Sequence, residues 1–124
     1  MLVEDDPTNL KLLTYILRPC GYQLYTAKGG NQALEIVEKH RPDLILLDIR
    51  LPDIDGFQVF KKLKAQEETK GIPIIFVSAL AQKKYRVKGL SLGAADYIVK
   101  PYMKEDIIVS IKEILKLRKL ENVQ

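Results

Sequence analysis

Asp43-Leu44-Ile45-Leu46-Leu47-Asp48-Ile49-Arg50-Leu51-Pro52-Asp53-Ile54-Asp55-Gly56 is the stretch that decides the fold. Its apolar run, Leu44 to Leu47, is too short for a helix and does not alternate with polar residues. That is the pattern of a strand covered on both faces, so Asp43–Leu47 is predicted as a strand. Asp48 stops the run. A loop holding Pro52 follows over Ile49–Asp55, and Gly56 opens a helix predicted to reach about Ala65.

The same alternation extends outward in both directions. Toward the start, Met1–Val3 reads as a short strand and Pro7–Leu17 as a helix. Asp6 is placed to cap that helix, and Pro7 sits at its first position. Leu10, Leu13 and Leu17 share one face, and Pro19 and Gly21 end the helix. Tyr22–Ala27 is predicted as strand two. A helix over about Asn31–Lys39 turns Ala33, Leu34 and Val37 inward. Toward the end, Pro73–Val77 is strand four, Gln82–Leu92 a helix, Tyr97–Val99 strand five, and Lys104 to about Leu120 the last helix. Five strands alternating with five helices predict an α/β fold, a doubly wound parallel sheet with helices on both faces. In such sheets ligands bind outside the carboxyl ends of the strands.

Composition narrows the class. A chain of 124 residues, 47% hydrophobic and 29% charged, fits one soluble globular domain. The apolar runs are too short to span a bilayer, and acidic residues by Glu4 argue against a secretory signal, so a cytoplasmic location is expected. The single cysteine, Cys20, allows no internal disulfide and reads as an apolar filler after the first helix. His40 is the only histidine, which excludes a Cys/His zinc cluster, and it reads as a solvated helix end. Residues 1–60 carry a net charge of −3 and residues 61–124 a net +7. The bases are scattered along helices, and no nucleic-acid-binding motif accompanies them. Direct binding of nucleic acid by this domain is not expected.

Four strands end in a polar group: Glu4-Asp5-Asp6 after strand one, Asp48 after strand three, Ser78 after strand four and Lys100 after strand five. A lone carboxylate after a strand is usually a turn or cap residue. Four such endings on one sheet edge are harder to explain that way. If strands one and three are neighbours, Asp5 and Asp48 converge. Two carboxylates about 4 Å apart repel by roughly 4 kcal/mol at an effective dielectric near 20. Such a cluster needs a proton or a cation, and all-oxygen ligands favour a hard ion such as Mg²⁺. With Lys100 as a fixed positive charge and Ser78 as a hydroxyl donor, the parts suit phosphoryl transfer to a carboxylate nucleophile.

Val3-Glu4-Asp5-Asp6-Pro7-Thr8-Asn9, the stretch Leu44–Gly56, Ser78-Ala79, and Gly93-Ala94-Ala95-Asp96-Tyr97-Ile98-Val99-Lys100-Pro101 together resemble the receiver domain of bacterial two-component response regulators. The resemblance covers essentially the whole chain. The spacings of 30 residues from Asp48 to Ser78 and 22 from Ser78 to Lys100 fit it. It implies a flavodoxin-like (βα)5 fold of strand order 2-1-3-4-5. It also implies that Asp48 is the phospho-acceptor, that Ser78 and Tyr97 form a switch pair, and that Lys100 contacts the phosphoryl group. Mg²⁺ (or Mn²⁺) would be held by Asp5, Asp48 and the main-chain carbonyl of Arg50, with Glu4 helping through water. Lys100–Pro101 is expected to be a cis peptide. The implied partners are a histidine kinase or histidine phosphotransfer protein and an output domain, in the same chain or separate. The helix 4–strand 5–helix 5 face would change partners on phosphorylation.

The chain departs from the pattern in places. Glu4 stands where many relatives have an aspartate, and strand one is short, so a trimmed natural start is expected. Ala95 and Ser110 replace residues that make ion pairs across the dimer in DNA-binding relatives, so that dimer is not expected. Leu80 offers no side chain to position water and Arg50 could screen the phosphoryl group, which predicts slow self-dephosphorylation. Residues 1–118 are assigned to the receiver domain and 119–124 to a tail or the start of a connector helix. Leu117 to Val123 reach past the sheet, and the Lys-Leu-Arg-Lys-Leu end resembles receivers fused to kinase or cyclase domains. The alternatives are a phosphorylation-independent interaction module on the same fold, and a phosphatase-type enzyme. The second lacks the aspartate two residues after the nucleophile, where Arg50 stands.

Overall fold

The structure, a computed structural model, describes residues 1–122. Strands β1 (Leu2–Val3), β2 (Thr26–Ala27), β3 (Ile45–Leu47), β4 (Ile74–Ser78) and β5 (Asp96–Val99) alternate with helices α1 (Pro7–Leu17), α2 (Gly30–His40), α3 (Gly56–Lys64), α4 (Lys83–Leu92) and α5 (Lys104–Asn122). The strands form one sheet in the order β2-β1-β3-β4-β5, and every pair is parallel. This is the predicted doubly wound order.

Period-two alternation sends neighbouring residues of each strand to opposite faces. Ile45, Leu47, Ile74 and Phe76 enter the core shared with Ala33, Val37, Phe57, Phe60 and Leu63 of α2 and α3. Leu2, Leu46, Ile75 and Val77 enter the core shared with Leu13 and Leu17 of α1 and Ile107 and Ile111 of α5. Phe76 packs against the rings of Phe57 and Phe60, with centroids 5.2 and 5.5 Å away. Each such buried Val, Leu, Ile or Phe side chain contributes about 1.5–3 kcal/mol of transfer free energy. Both faces are covered, which is why the strands read as unbroken apolar runs.

The helix starts follow local chemistry. Asp6 accepts from the Thr8 N–H at 2.9 Å and caps α1. Asp55 and Gln58 form a reciprocal capping box at α3. α5 packs through Ile107 and Ile111, both buried, whereas Ile108 and Leu115 are only partly buried.

The expected and observed boundaries differ where pairing decides them. Tyr22–Ala27 forms a strand only at Thr26–Ala27, because this edge strand has one neighbour and β1 pairs with it only through Leu2 and Val3. β4 extends to Ser78, which pairs with Val99. Ser78 therefore stands inside the ladder rather than after it. α5 passes residue 118 unbroken and runs to Asn122, with Leu117 and Leu120 exposed. Val123 lies outside the described residues. No helix among the described residues is long and apolar enough to cross a membrane.

Candidate functional site

Register brings the strand ends together. Val3 pairs with Leu47, so Glu4 and Asp48 leave adjacent strands side by side, and the Asp48 N–H still bonds the Val3 carbonyl at 3.0 Å. Ser78 pairs with Val99, so Lys100 follows next to it, its N–H donating to the Ser78 carbonyl at 2.9 Å. The Lys100–Pro101 peptide is cis.

The side chains converge. The Lys100 ammonium donates to Asp48 Oδ2 at 2.9 Å and to Glu4 Oε1. Asp48 Oδ1 accepts the Arg50 N–H at 3.2 Å. Carboxylate oxygens of Glu4, Asp5 and Asp48 all lie within 4.8 Å of one another. Asp5 is exposed, Asp48 is buried, and Glu4 is only 2% exposed. The second Glu4 oxygen, Oε2, is buried with no hydrogen-bond partner. Leaving such a group unsatisfied costs about 1–3 kcal/mol, more if it is charged.

Electrostatics agree with the geometry. Burial first, then the bond and charge of Asp48, push the Glu4 carboxyl up to about 7 against the opposing pull of Lys100. Burial pulls Lys100 down, but the hydrogen bonds and charges of Glu4 and Asp48 outweigh it and hold the ammonium above its ordinary range. Three carboxylates face one ammonium. A proton on Glu4, or a hard divalent cation coordinated by oxygen, offsets the surplus. The all-oxygen donor set and the orphaned Glu4 oxygen fit such a cation.

Ser78 and Tyr97 meet through one intermediary. Ser78 is fully buried, and its hydroxyl oxygen accepts the Leu80 N–H at 3.2 Å. Tyr97 is turned inward, only 4% exposed, and its hydroxyl donates to the Leu80 carbonyl at 2.6 Å. Burial pushes the Tyr97 phenol up from its ordinary value. The main chain of Leu80 thus joins the two residues. The sequence shows only its apolar side chain, so nothing in it signals this link. Of the residues singled out from the sequence, Glu4, Asp5, Asp48 and Lys100 form one cluster. Ser78 and Tyr97 form a second contact beside it, and Arg50 joins through its main-chain N–H while its side chain is exposed.

Comparison with known proteins bears on the family and the fold. The model of the response regulator receiver domain matches residues 1–112. The chain is 39% identical over 115 residues to the polar-differentiation response regulator DivK of Brucella anthropi, covering 93% of this chain and 94% of DivK. It is 38% identical over 116 residues to the alkaline phosphatase synthesis transcriptional regulatory protein PhoP of Bacillus subtilis, covering 94% of this chain. It spans about half (48%) of the length of PhoP. The crystal structure of a CheY-like response regulator receiver domain protein from Methanospirillum hungatei superposes with a TM-score of 0.89 at 32% identity, covering 97% of this chain and 94% of that one. With the strand order, the cluster at the strand ends and these matches in accord, the chain belongs to the response regulator receiver domain family of two-component systems.

Proposed function

We propose that this chain takes a phosphoryl group onto Asp48 from a phosphohistidine donor, either a histidine kinase or a histidine phosphotransfer protein. The observation that carries the reading is the convergence of Asp48 with Glu4, Asp5 and Lys100, with the second oxygen of Glu4 buried and lacking a partner. An Asp48 carboxylate oxygen forms the new bond to phosphorus as the phosphorus–nitrogen bond to the donor histidine breaks. The imidazole nitrogen leaves with the electron pair and takes up a proton. Mg²⁺ or Mn²⁺ would be held by Asp5, Asp48, the Arg50 main-chain carbonyl and, through water, Glu4. When bound, the ion neutralises charge on the phosphoryl oxygens. Lys100, already 2.9 Å from Asp48, is placed to do the same.

Ser78 hydrogen-bonds a phosphoryl oxygen once its hydroxyl turns away from the Leu80 N–H. Because Tyr97 is bonded to the same residue, that turn reaches β5 and shifts the population of packings on the α4–β5–α5 face. The reader of that face is an output domain, in the same chain or separate. In this reading residues 1–118 are the receiver and 119–124 a tail or connector start, the domain works in the cytoplasm, and nucleic acid is not its direct ligand.

Incubating the chain with a small phosphodonor and Mg²⁺ should add the mass of one phosphoryl group, and a chelator should prevent it. Absence of both Mg²⁺ binding and labelling would leave the phosphorylation-independent interaction module as the better account. The label should also persist. With Leu80 unable to hold an attacking water and Arg50 free to screen, decay should take minutes or longer. A lifetime of seconds would contradict that part.

A further inference from the structure

The loop after Asp48 is held from an unexpected direction. Helix α2 starts at Gly30 with Gly29 as its N-cap residue, which has no side chain to satisfy the first amides. Asp53, in the loop between β3 and α3, does so instead. Its Oδ1 accepts the Gly30 N–H at 2.8 Å and its Oδ2 accepts the Asn31 N–H at 2.9 Å. The bonds from Asn31 and Gly30 hold the Asp53 carboxyl down at about 2 although it is exposed, so it stays ionised throughout the physiological range. The packing beneath is as close. A Cβ on Gly30 would stand 2.5 Å from Ile54 Cγ1 and 2.8 Å from Val59 Cγ2.

A cap from 22–23 residues away does more than a cap. A local serine or asparagine at position 29 would cap the helix by accepting from Asn31 or Gln32, and the extended backbone there (φ −152°, ψ 167°) suits any residue. Asp53 spends both oxygens on α2 and thereby fastens the segment that carries Arg50. Asp48 Oδ1 accepts the Arg50 N–H at one end of that segment, and the Gly56 N–H bonds the Ile49 carbonyl at 2.7 Å at the other.

We propose that Asp53 is a positioning residue: clamping the 49–55 loop to the N-terminus of α2, it fixes the Arg50 main chain beside Asp48 and so sets the affinity of the site for a divalent cation. This rests on the phospho-acceptor reading above, in which Arg50 supplies a carbonyl ligand. Outer-shell partners of this kind typically contribute 10–100-fold to metal affinity.

The test compares the full 124-residue chain with two variants, Asp53→Ala and the double variant Gly29→Ser/Asp53→Ala. The double variant restores a local cap without restoring the clamp, and removing Asp53 clears the oxygen that a Cβ at position 29 would approach to 3.2 Å. Mg²⁺ affinity is read by calorimetry, thermal unfolding in chelator gives stability, and amide exchange follows residues 49–55. In Asp53→Ala, Mg²⁺ should bind about tenfold more weakly. The labelling rate at saturating Mg²⁺ should fall far less than the affinity, and the loop amides should exchange faster. The double variant should recover part of the unfolding temperature lost in Asp53→Ala but neither the affinity nor the loop protection. Recovery of affinity in the double variant would show that Asp53 is only a cap and would overturn the proposal. Binding by Asp53→Ala as tight as by the parent would overturn it alone. No Mg²⁺ binding by the parent would sink the proposal together with the reading it rests on.

Discussion

Asp48→Asn is expected to reduce phosphoryl labelling to background while leaving the fold in place. An amide has no ionised oxygen to attack phosphorus, so the nucleophile is removed at nearly constant shape. The cost to stability has two opposing parts. Asp48 accepts from both Arg50 and Lys100, and an asparagine keeps only one of its two acceptor atoms. Losing the other costs about 1–3 kcal/mol. Against this, one of three crowded carboxylates loses its charge. Relief of a single repulsion at about 4 Å is worth roughly 4 kcal/mol at an effective dielectric near 20. The charge attraction to Lys100 at 2.9 Å is lost as well and is of the same order as that repulsion, so the variant should unfold in urea within about 1–3 kcal/mol of the parent. Intact mass after incubation with a small phosphodonor and Mg²⁺ gives the labelling. Label retained by a folded Asp48→Asn chain would move the acceptor to another residue and remove the basis of the proposed function.

The place of Asp48 in the fold was legible locally, because Leu44 to Leu47 read as a two-sided strand that it ends. Its candidacy was not local: a lone acid there reads as a turn or cap residue, and only the polar ends of the neighbouring strands set it apart. The register that sets Glu4 beside it and Lys100 across from it follows from strand order, which the family pattern supplied and the pairing of Val3 with Leu47 now shows. Less was legible where partners rather than residue types decide. Tyr22 to Tyr25 have strand-forming side chains, yet β1 offers them no ladder. Ile107 and Ile108 look interchangeable in the sequence. Only the packing of α5 on the sheet separates them, with Ile107 fully inside and Ile108 partly buried. The two main-chain links, through Leu80 to Ser78 and Tyr97 and from α2 to Asp53, leave no trace in side-chain type or periodicity. A backbone N–H is present at every residue except proline, so its engagement cannot be read from letters.

Gly56→Ala should be the most disruptive single-methyl change near the site. A Cβ there would lie 2.3 Å from the Asp48 carbonyl oxygen, 2.8 Å from Ile49 Cα and 3.0 Å from the Asp48 carbonyl carbon. All three are main-chain atoms, and none can rotate aside as a side chain would. Alanine is the better helix former by about 0.8–1.0 kcal/mol, and Gly56 opens α3, so propensity alone favours the substitution. The overlap outweighs it, because overpacking against a fixed neighbour costs 1–3 kcal/mol and occasionally more, and relief here requires the backbone itself to move. A net loss of about 2 kcal/mol in urea unfolding is expected. The matched control is Gly71→Ala, where an added Cβ meets nothing within 4 Å, and which should stay within about 0.5 kcal/mol of the parent. Function should fall further than stability. Whichever way α3 and the Asp48–Ile49 peptide part, Asp48 shifts relative to Lys100, and a displacement of about 1 Å costs on the order of a hundredfold in rate. Labelling of the folded Gly56→Ala chain at saturating Mg²⁺ should therefore be slow even where urea shows it fully native. Parent-like labelling would mean that α3 yields without moving Asp48, and that the close approach of Gly56 serves packing alone.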